Sequence, residues 1–296
     1  MQYWILHHQH KGKPIEQALV NQGWVYSQTP DIALFDVARG KPIERRFRRE
    51  GASLVIYPHT AIAGWWYDGL LEPPIGFDAI LVVGEGQKEV QKIITPNSRV
   101  ETIGWGYCPI LPFKKPEVVK RILFAPIHPS GNTLRPEAKD VNARVYRRLL
   151  GLPDVQVVVR VLGDLRDNGL WSSPNAIIKE GKPDGSYAEI DAADLVIAEG
   201  MYLSLAVARG KPSIGMNQRV SQRVNGNGCA PKQWWKYNRL QAYPIDFDDG
   251  SITELIDRAL DESQVSEWRQ RFIGEQLQPE HLSDLLKDIR REHRAR

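Results

Sequence analysis

The stretch Asp191–Gly215, DAADLVIAEGMYLSLAVARGKPSIG, decides the fold. Leu195-Val196-Ile197-Ala198 is a short apolar run between polar flanks, the composition of a strand buried on both faces. Glu199-Gly200 breaks the run, and a glycine there lets the backbone approach a ligand closely. Leu203, Leu205, Ala206 and Ala208 then recur at helix-like spacing. Gly210 follows as a C-cap, with Pro212 two residues beyond. Pro212-Ser213-Ile214-Gly215 begins the next strand. A strand, a glycine turn and a helix whose N-terminus faces the turn make an anion site. The same pattern also describes an ordinary αβ unit with no ligand.

Outward from this stretch the chain alternates. Upstream, Tyr3–Leu6, Ile32–Val37, Ala52–Tyr57 and Ala79–Val83 read as strands, with helices at Pro14–Asn21 and Glu85–Ile94 between them. Val100–Ile103 leads into Gly104-Trp105-Gly106-Tyr107. Pro109, Pro112 and Pro116, with Lys114-Lys115, interrupt the pattern as a linker. Arg121–Ala125 is a strand, Pro136–Leu150 a helix, and Val155–Val161 a β-branched strand. Ser251-Ile252-Thr253-Glu254 is a capping box. Helices at Gln264–Phe272 and Pro279–Arg294 close the chain. This alternation predicts an α/β protein with parallel sheets: a first domain over residues 1–113, a second over 117–262, and terminal helices over 263–296.

Composition agrees with that class. The 296 residues suit two domains. The 42% apolar and 25% charged fractions are those of a globular protein. A long apolar span is absent, so no transmembrane helix is expected. Met1–Leu6 lacks the features of a signal peptide and reads as a buried strand. The 2 cysteines, Cys108 and Cys229, make neither a disulfide framework nor a metal cluster, which favours a reducing, cytoplasmic setting. A net charge of +3 permits a polyanionic partner without announcing one.

Several segments resemble GT-B glycosyltransferases and the related CDP-glycerol glycerophosphotransferases. Ala193–Ile197 matches a strand pattern "aDlvI", and Gly210–Ile214 matches "GkPvI". Arg121–His128 is similar to "iLyAPT.r", and Arg160 stands near a family lysine. Gly104–Pro109 loosely matches a motif that precedes the family's second domain. The resemblance implies two Rossmann-type domains facing a cleft, with the C-terminal helices crossing back over both. It implies transfer of a sugar from a nucleotide-activated donor, UDP- or CDP-linked, to an acceptor hydroxyl. No tightly bound cofactor and no divalent metal are expected. Where the family often carries a ribose-binding Glu, this chain has Leu205, and Glu199 is the nearest carboxylate.

The chemistry needs donors for the leaving diphosphate, a base, and exclusion of water. The donor set is His128, Ser130, Gly131, Asn132, Arg160, Glu199, Gly200, Met201 and Ser204. The base is His59, just beyond a buried strand, or Asp68. For the acceptor, His8, Trp65 and Trp66 join two basic-aromatic clusters. These clusters are Arg45–Arg49, with Arg45 and Arg48, and Lys232–Tyr237, with Trp234 and Trp235. Such clusters suit a hydroxymethylated pyrimidine flipped out of (phage) DNA. Solvated or packing faces explain them equally well. Asp246-Phe247-Asp248 has a D-x-D form but sits at a helix cap and reads as a capping turn. Two other readings stay open: a wall-polymer glycerophosphotransferase, and a non-catalytic nucleotide or nucleic-acid binding module.

Overall fold

The computed structural model describes residues 1–6, 12–35, 42–58, 76–126, 136–161, 176–180, 186–216 and 240–296. The chain divides into two compact units, Met1–Tyr107 with Gln270–Arg296, and Cys108–Arg269.

The first unit holds strands β1 (Gln2–Ile5), β2 (Val25–Tyr26), β3 (Ile32–Phe35), β4 (Ser53–Ile56), β5 (Ala79–Val82) and β6 (Val100–Thr102). They form one six-stranded sheet in the order β2-β1-β3-β4-β5-β6, and every pair is parallel. Strands of such a sheet are covered on both sides, which is why they read as unbroken apolar runs. Helices α1 (Lys13–Asn21), α2 (Pro42–Arg49) and α3 (Glu85–Ile94) lie between the strands. On one face Ile32 and Leu34 pack with Ile15 and Leu19 of α1. On the other, Ala33 and Phe35 pack with Phe47 of α2. The alternation within one strand thus feeds two cores.

The last helix, α9 (Pro279–Ala295), joins the first of these cores through Leu282, Leu286 and Ile289. Their spacing of three and four residues is the apolar stripe of an amphipathic helix. The buried Trp24 indole N–H donates to Ser283 Oγ at 2.9 Å, so the contact carries a satisfied polar tie as well. The end of the chain therefore packs on the sheet with which it starts.

The second unit holds β7 (Arg121–Phe124), α4 (Pro136–Leu150), β8 (Gln156–Val161), β9 (Ala176–Glu180), α5 (Ser186–Ala192), β10 (Leu195–Ala198), α6 (Gly200–Ala208) and β11 (Ser213–Gly215). Helices α7 (Ile252–Ala259) and α8 (Ser266–Phe272) follow, and the division between the units falls inside α8. The sheet is five-stranded and parallel, ordered β11-β10-β7-β8-β9. β10 is an interior strand, between β11 and β7, and fully buried, as its composition predicts. Sequence reading missed β2, β9 and α5. Two residues give β2 no periodicity, and Ser186–Ala192 carries too few apolar positions to show a helical stripe.

Candidate functional site

All five strands of the second sheet end on one edge, and α6 starts there. β10 stops at Ala198. Glu199 stays extended, with φ −122° and ψ 166°, and is the N-cap of α6, its side chain not bonded to the helix's first amides. Gly200 has φ +57°, in the left-handed region that favours glycine. Among the described residues no heavy atom lies within 4 Å of where its Cβ would be. The nine-residue helix thus presents its N-terminus at the strand edge beside open space. The first amides of a helix lack intrahelical partners and carry the positive end of its dipole, a setting for an anion. Glu199, Gly200 and Met201 all sit at this turn and are partly exposed. Ser204 is 1% exposed, and its hydroxyl donates to Gly200 O at 3.1 Å.

Arg160, near the end of β8, lies within the second unit's interior. Its side chain is 2% exposed, and Nη1 donates to Glu189 Oε2 of α5 at 2.7 Å. Its guanidinium also lies over the Tyr202 ring, 5.2 Å from the centroid. Its charge is therefore engaged by Glu189 and Tyr202, neither of which sequence reading singled out. The available signal was an arginine inside the run Val157–Val161, because a buried guanidinium requires a carboxylate nearby.

The two ends of the opening stretch serve structure. Asp194 Oδ2 accepts the backbone N–H groups of Lys120 and Arg121 at 2.9 and 2.8 Å, joining β10 to the start of β7. Gly210 has φ +71°, and a Cβ there would fall 1.9 Å from Pro112 O. Lys211 Nζ donates to Asp191 O at 2.6 Å and Ala193 O at 2.8 Å, where α5 ends. Burial lowers the Lys211 pKa, with Asp191 opposing that effect. The D-x-D segment is a capped turn: Asp246 accepts from Asp248 N at 3.0 Å and donates its own N–H to Asp249 at 3.2 Å. Asp248 also pairs with Arg144 at 2.7 Å.

In the first unit, β4 leads through Tyr57 and Pro58 towards position 59. Tyr57 OH donates to Leu6 O at 2.6 Å, and Tyr107 OH donates to Pro58 O. The chain is thus anchored at the carboxyl edge of the sheet just before His59. His59 and Asp68, with His8, Trp65 and Trp66, lie outside the described residues, as do His128, Ser130, Gly131, Asn132, Trp234 and Trp235. Arg45 is exposed on α2. Arg48 is at the other edge of the sheet, where strands start. Its guanidinium pairs with Asp78 at 3.1 Å and donates to Gly76 O. Arg46 bonds Glu50 at 2.8 Å and Gln28 O at 3.0 Å. Two arginines of the run therefore hold the first unit together, because the end of α2 is brought beside the start of β5.

No family model and no curated protein matches the sequence. Solved structures do match in fold. The glycotransferase of kitacinnamycin aligns at a TM-score of 0.60 and 13% identity, over 97% of this chain and 98% of that one. The spinosyn rhamnosyltransferase SpnG complexed with thymidine diphosphate aligns at 0.52 and 15%, over 94% and 80%. TarM aligns at 0.51 and 12%, over 88% of this chain but only 54% of its own length. The fold is that of the GT-B glycosyltransferases. Identities this low carry the architecture alone. In GT-B terms, each unit is one Rossmann-like half, and α6 is the helix that follows the fourth strand of the second half. Among the described residues, no helix is long and apolar enough to cross a membrane.

Proposed function

We propose that the chain transfers a sugar from a nucleotide-activated donor to an acceptor hydroxyl. The carrying observation is the turn Ala198-Glu199-Gly200, which sets the N-terminus of α6 at the strand edge beside space that is open among the described residues. The leaving diphosphate sits there, against the first amides of α6. SpnG, whose structure holds thymidine diphosphate, has the same fold and supports a nucleotide in this role. As the acceptor oxygen bonds to the sugar's anomeric carbon, the bond from that carbon to the diphosphate oxygen breaks. The acceptor proton passes to a base, His59 in this reading, with Asp68 as the alternative. The N-terminus of α6 offsets the leaving charge, so no divalent ion is assigned. UDP and CDP are the favoured carriers.

For the acceptor, a hydroxymethylated pyrimidine in DNA is the reading that the Lys232–Tyr237 pattern and the exposed Arg45 and Arg49 support. Arg48 is left out, because Asp78 holds it at the strand-start edge. A cytoplasmic setting accompanies this reading. One observation favours a binding module instead: Leu205 is 6% exposed and packed in α6, so no carboxylate stands at the ribose position.

A thermal-shift screen over UDP-, CDP-, GDP- and TDP-sugars tests the donor. A ligand at about 100 times its dissociation constant stabilises by about 2.7 kcal/mol. Stabilisation with donor hydrolysis supports the enzyme; stabilisation without hydrolysis or transfer supports the module; no stabilisation by any donor overturns both. Mass spectrometry of hydroxymethylated DNA after incubation with the stabilising donor tests the acceptor, and the absence of added sugar removes DNA.

A further inference from the structure

We propose that Tyr202 is the surface on which the donor's nucleobase rests, and that Arg160, fixed by Glu189, is the residue that positions it. The inference rests on the placement of the donor at α6 argued above.

Tyr202 is the third residue of α6. Side chains on a helix lean towards its N-terminus, so this ring covers the surface next to the Glu199-Gly200 turn. A nucleoside diphosphate bound by its phosphates at that turn can extend its ribose and base along the same surface. Tyr202 is partly buried.

What lies behind the ring is unusual for a surface aromatic. The Arg160 guanidinium, 5.2 Å from the centroid, takes one side of it. Arg160 in turn donates to Glu189 at 2.7 Å, with the two side chains 2% and 14% exposed. A buried ion pair is costly to break, because either partner alone would be an uncompensated buried charge. The guanidinium is therefore a fixed backing plate. It is not free to follow a phosphate, and it holds the tyrosine in one orientation through a cation–π contact. A ring already ordered loses little entropy when a base stacks on it. The chain Glu189–Arg160–Tyr202 runs from α5 through β8 to α6 and converts a buried charge into a preset aromatic surface.

Phosphate contacts and base contacts are separable by probe. Uridine diphosphate, thymidine diphosphate and inorganic pyrophosphate are titrated into the full chain and into Tyr202→Leu, Tyr202→Phe, Arg160→Lys and Gly200→Val. Tyr202→Leu should weaken both nucleotides by about tenfold while pyrophosphate binding stays within about twofold. Tyr202→Phe should bind like the parent. Arg160→Lys keeps the charge for Glu189 but loses the planar backing, and should lose part of the preference for nucleotide over pyrophosphate.

Parent-like nucleotide binding by a folded Tyr202→Leu protein overturns the inference, as does an equal loss for pyrophosphate. If Gly200→Val weakens all three probes while Tyr202→Leu weakens none, the donor placement stands and the role of Tyr202 falls. If Gly200→Val changes nothing, or the parent binds none of the probes, the placement at α6 falls and the inference falls with it.

Discussion

Asp194 and Arg121 clasp each other: the Asp194 N–H donates to Arg121 O at 2.9 Å, and the Arg121 N–H donates back to the Asp194 carboxylate at 2.8 Å. The same reciprocal pair occurs twice more. Asp78 and Leu54 exchange bonds of 2.8 and 2.8 Å, and Asp31 and Gln2 exchange bonds of 3.0 and 3.0 Å. In each case the aspartate stands one residue before a buried strand, and its carboxylate takes an amide at the start of the neighbouring strand. In the first unit these carboxylates also draw in basic side chains. Asp78 bonds Arg48 and His293, and Asp31 pairs with Arg294 at 3.1 Å and Arg290 at 3.5 Å. Three of those four side chains belong to α9.

Asp194→Ala leaves two backbone amides without their carboxylate and should cost about 1–3 kcal/mol. Asp78→Ala should cost more, since it also strands Arg48 and His293. Urea unfolding at unchanged slope checks both. An Asp194→Ala protein as stable as the parent, or a reversed order, contradicts the clasp's role.

Gly210 and Gly200 both have positive φ, yet their substitution by alanine should fail in different ways. At Gly210 the new Cβ meets Pro112 O at 1.9 Å, in a segment tied down by Leu111 N to Ala208 O and Lys114 N to Gly210 O. Backbone strain of about 1–3 kcal/mol then adds to a displaced segment, and the second unit should melt markedly earlier. At Gly200 only the strain applies, because the space is open among the described residues. Thermal melts should therefore rank Gly210→Ala below Gly200→Ala, and a side chain at Gly200 should act chiefly on nucleotide affinity.

His59→Ala should lower turnover by about 10²–10⁴-fold with donor binding kept, if His59 is the base. Single-turnover rates beside donor titrations read the two effects apart. Turnover within a few-fold of the parent transfers the role to Asp68, for which the same measurement on Asp68→Asn decides.

The box that starts α7 should respond to acid. The Ser251 backbone N–H at 2.9 Å, then its hydroxyl at 2.8 Å, holds the Glu254 carboxyl below its ordinary 4.5. A value lowered by folding means that the contribution is complete above about 4.5 and fades as pH falls through the lower folded value. The melting difference between the parent and Glu254→Gln should be open at neutral pH and close as the pH falls below the ordinary carboxylate range. A difference that persists unchanged into acid rules out the charged box as its source.

The sequence by itself determined the class of fold. The runs Ile32–Phe35, Leu54–Ile56, Ala79–Val82 and Leu195–Ala198 are apolar at every position, the pattern of strands covered on both sides. It also marked Gly200, because a glycine between a buried strand and a helix is a local signal. Asp31, Asp78 and Asp194, each just before such a run, were legible in principle once the strands were known. Tertiary structure decided what each of the other residues does. Lys211 caps α5 and Gly210 gives way to Pro112, so the Gly-Lys-Pro signature is spent on closing the unit. Arg48 meets Asp78 across 30 residues, and Arg160 meets Glu189 across 29. Burial patterns repeat within a few residues and can be read along the chain. The partner of a charge depends on which strands lie side by side and at what register, and that is set only when the sheets assemble.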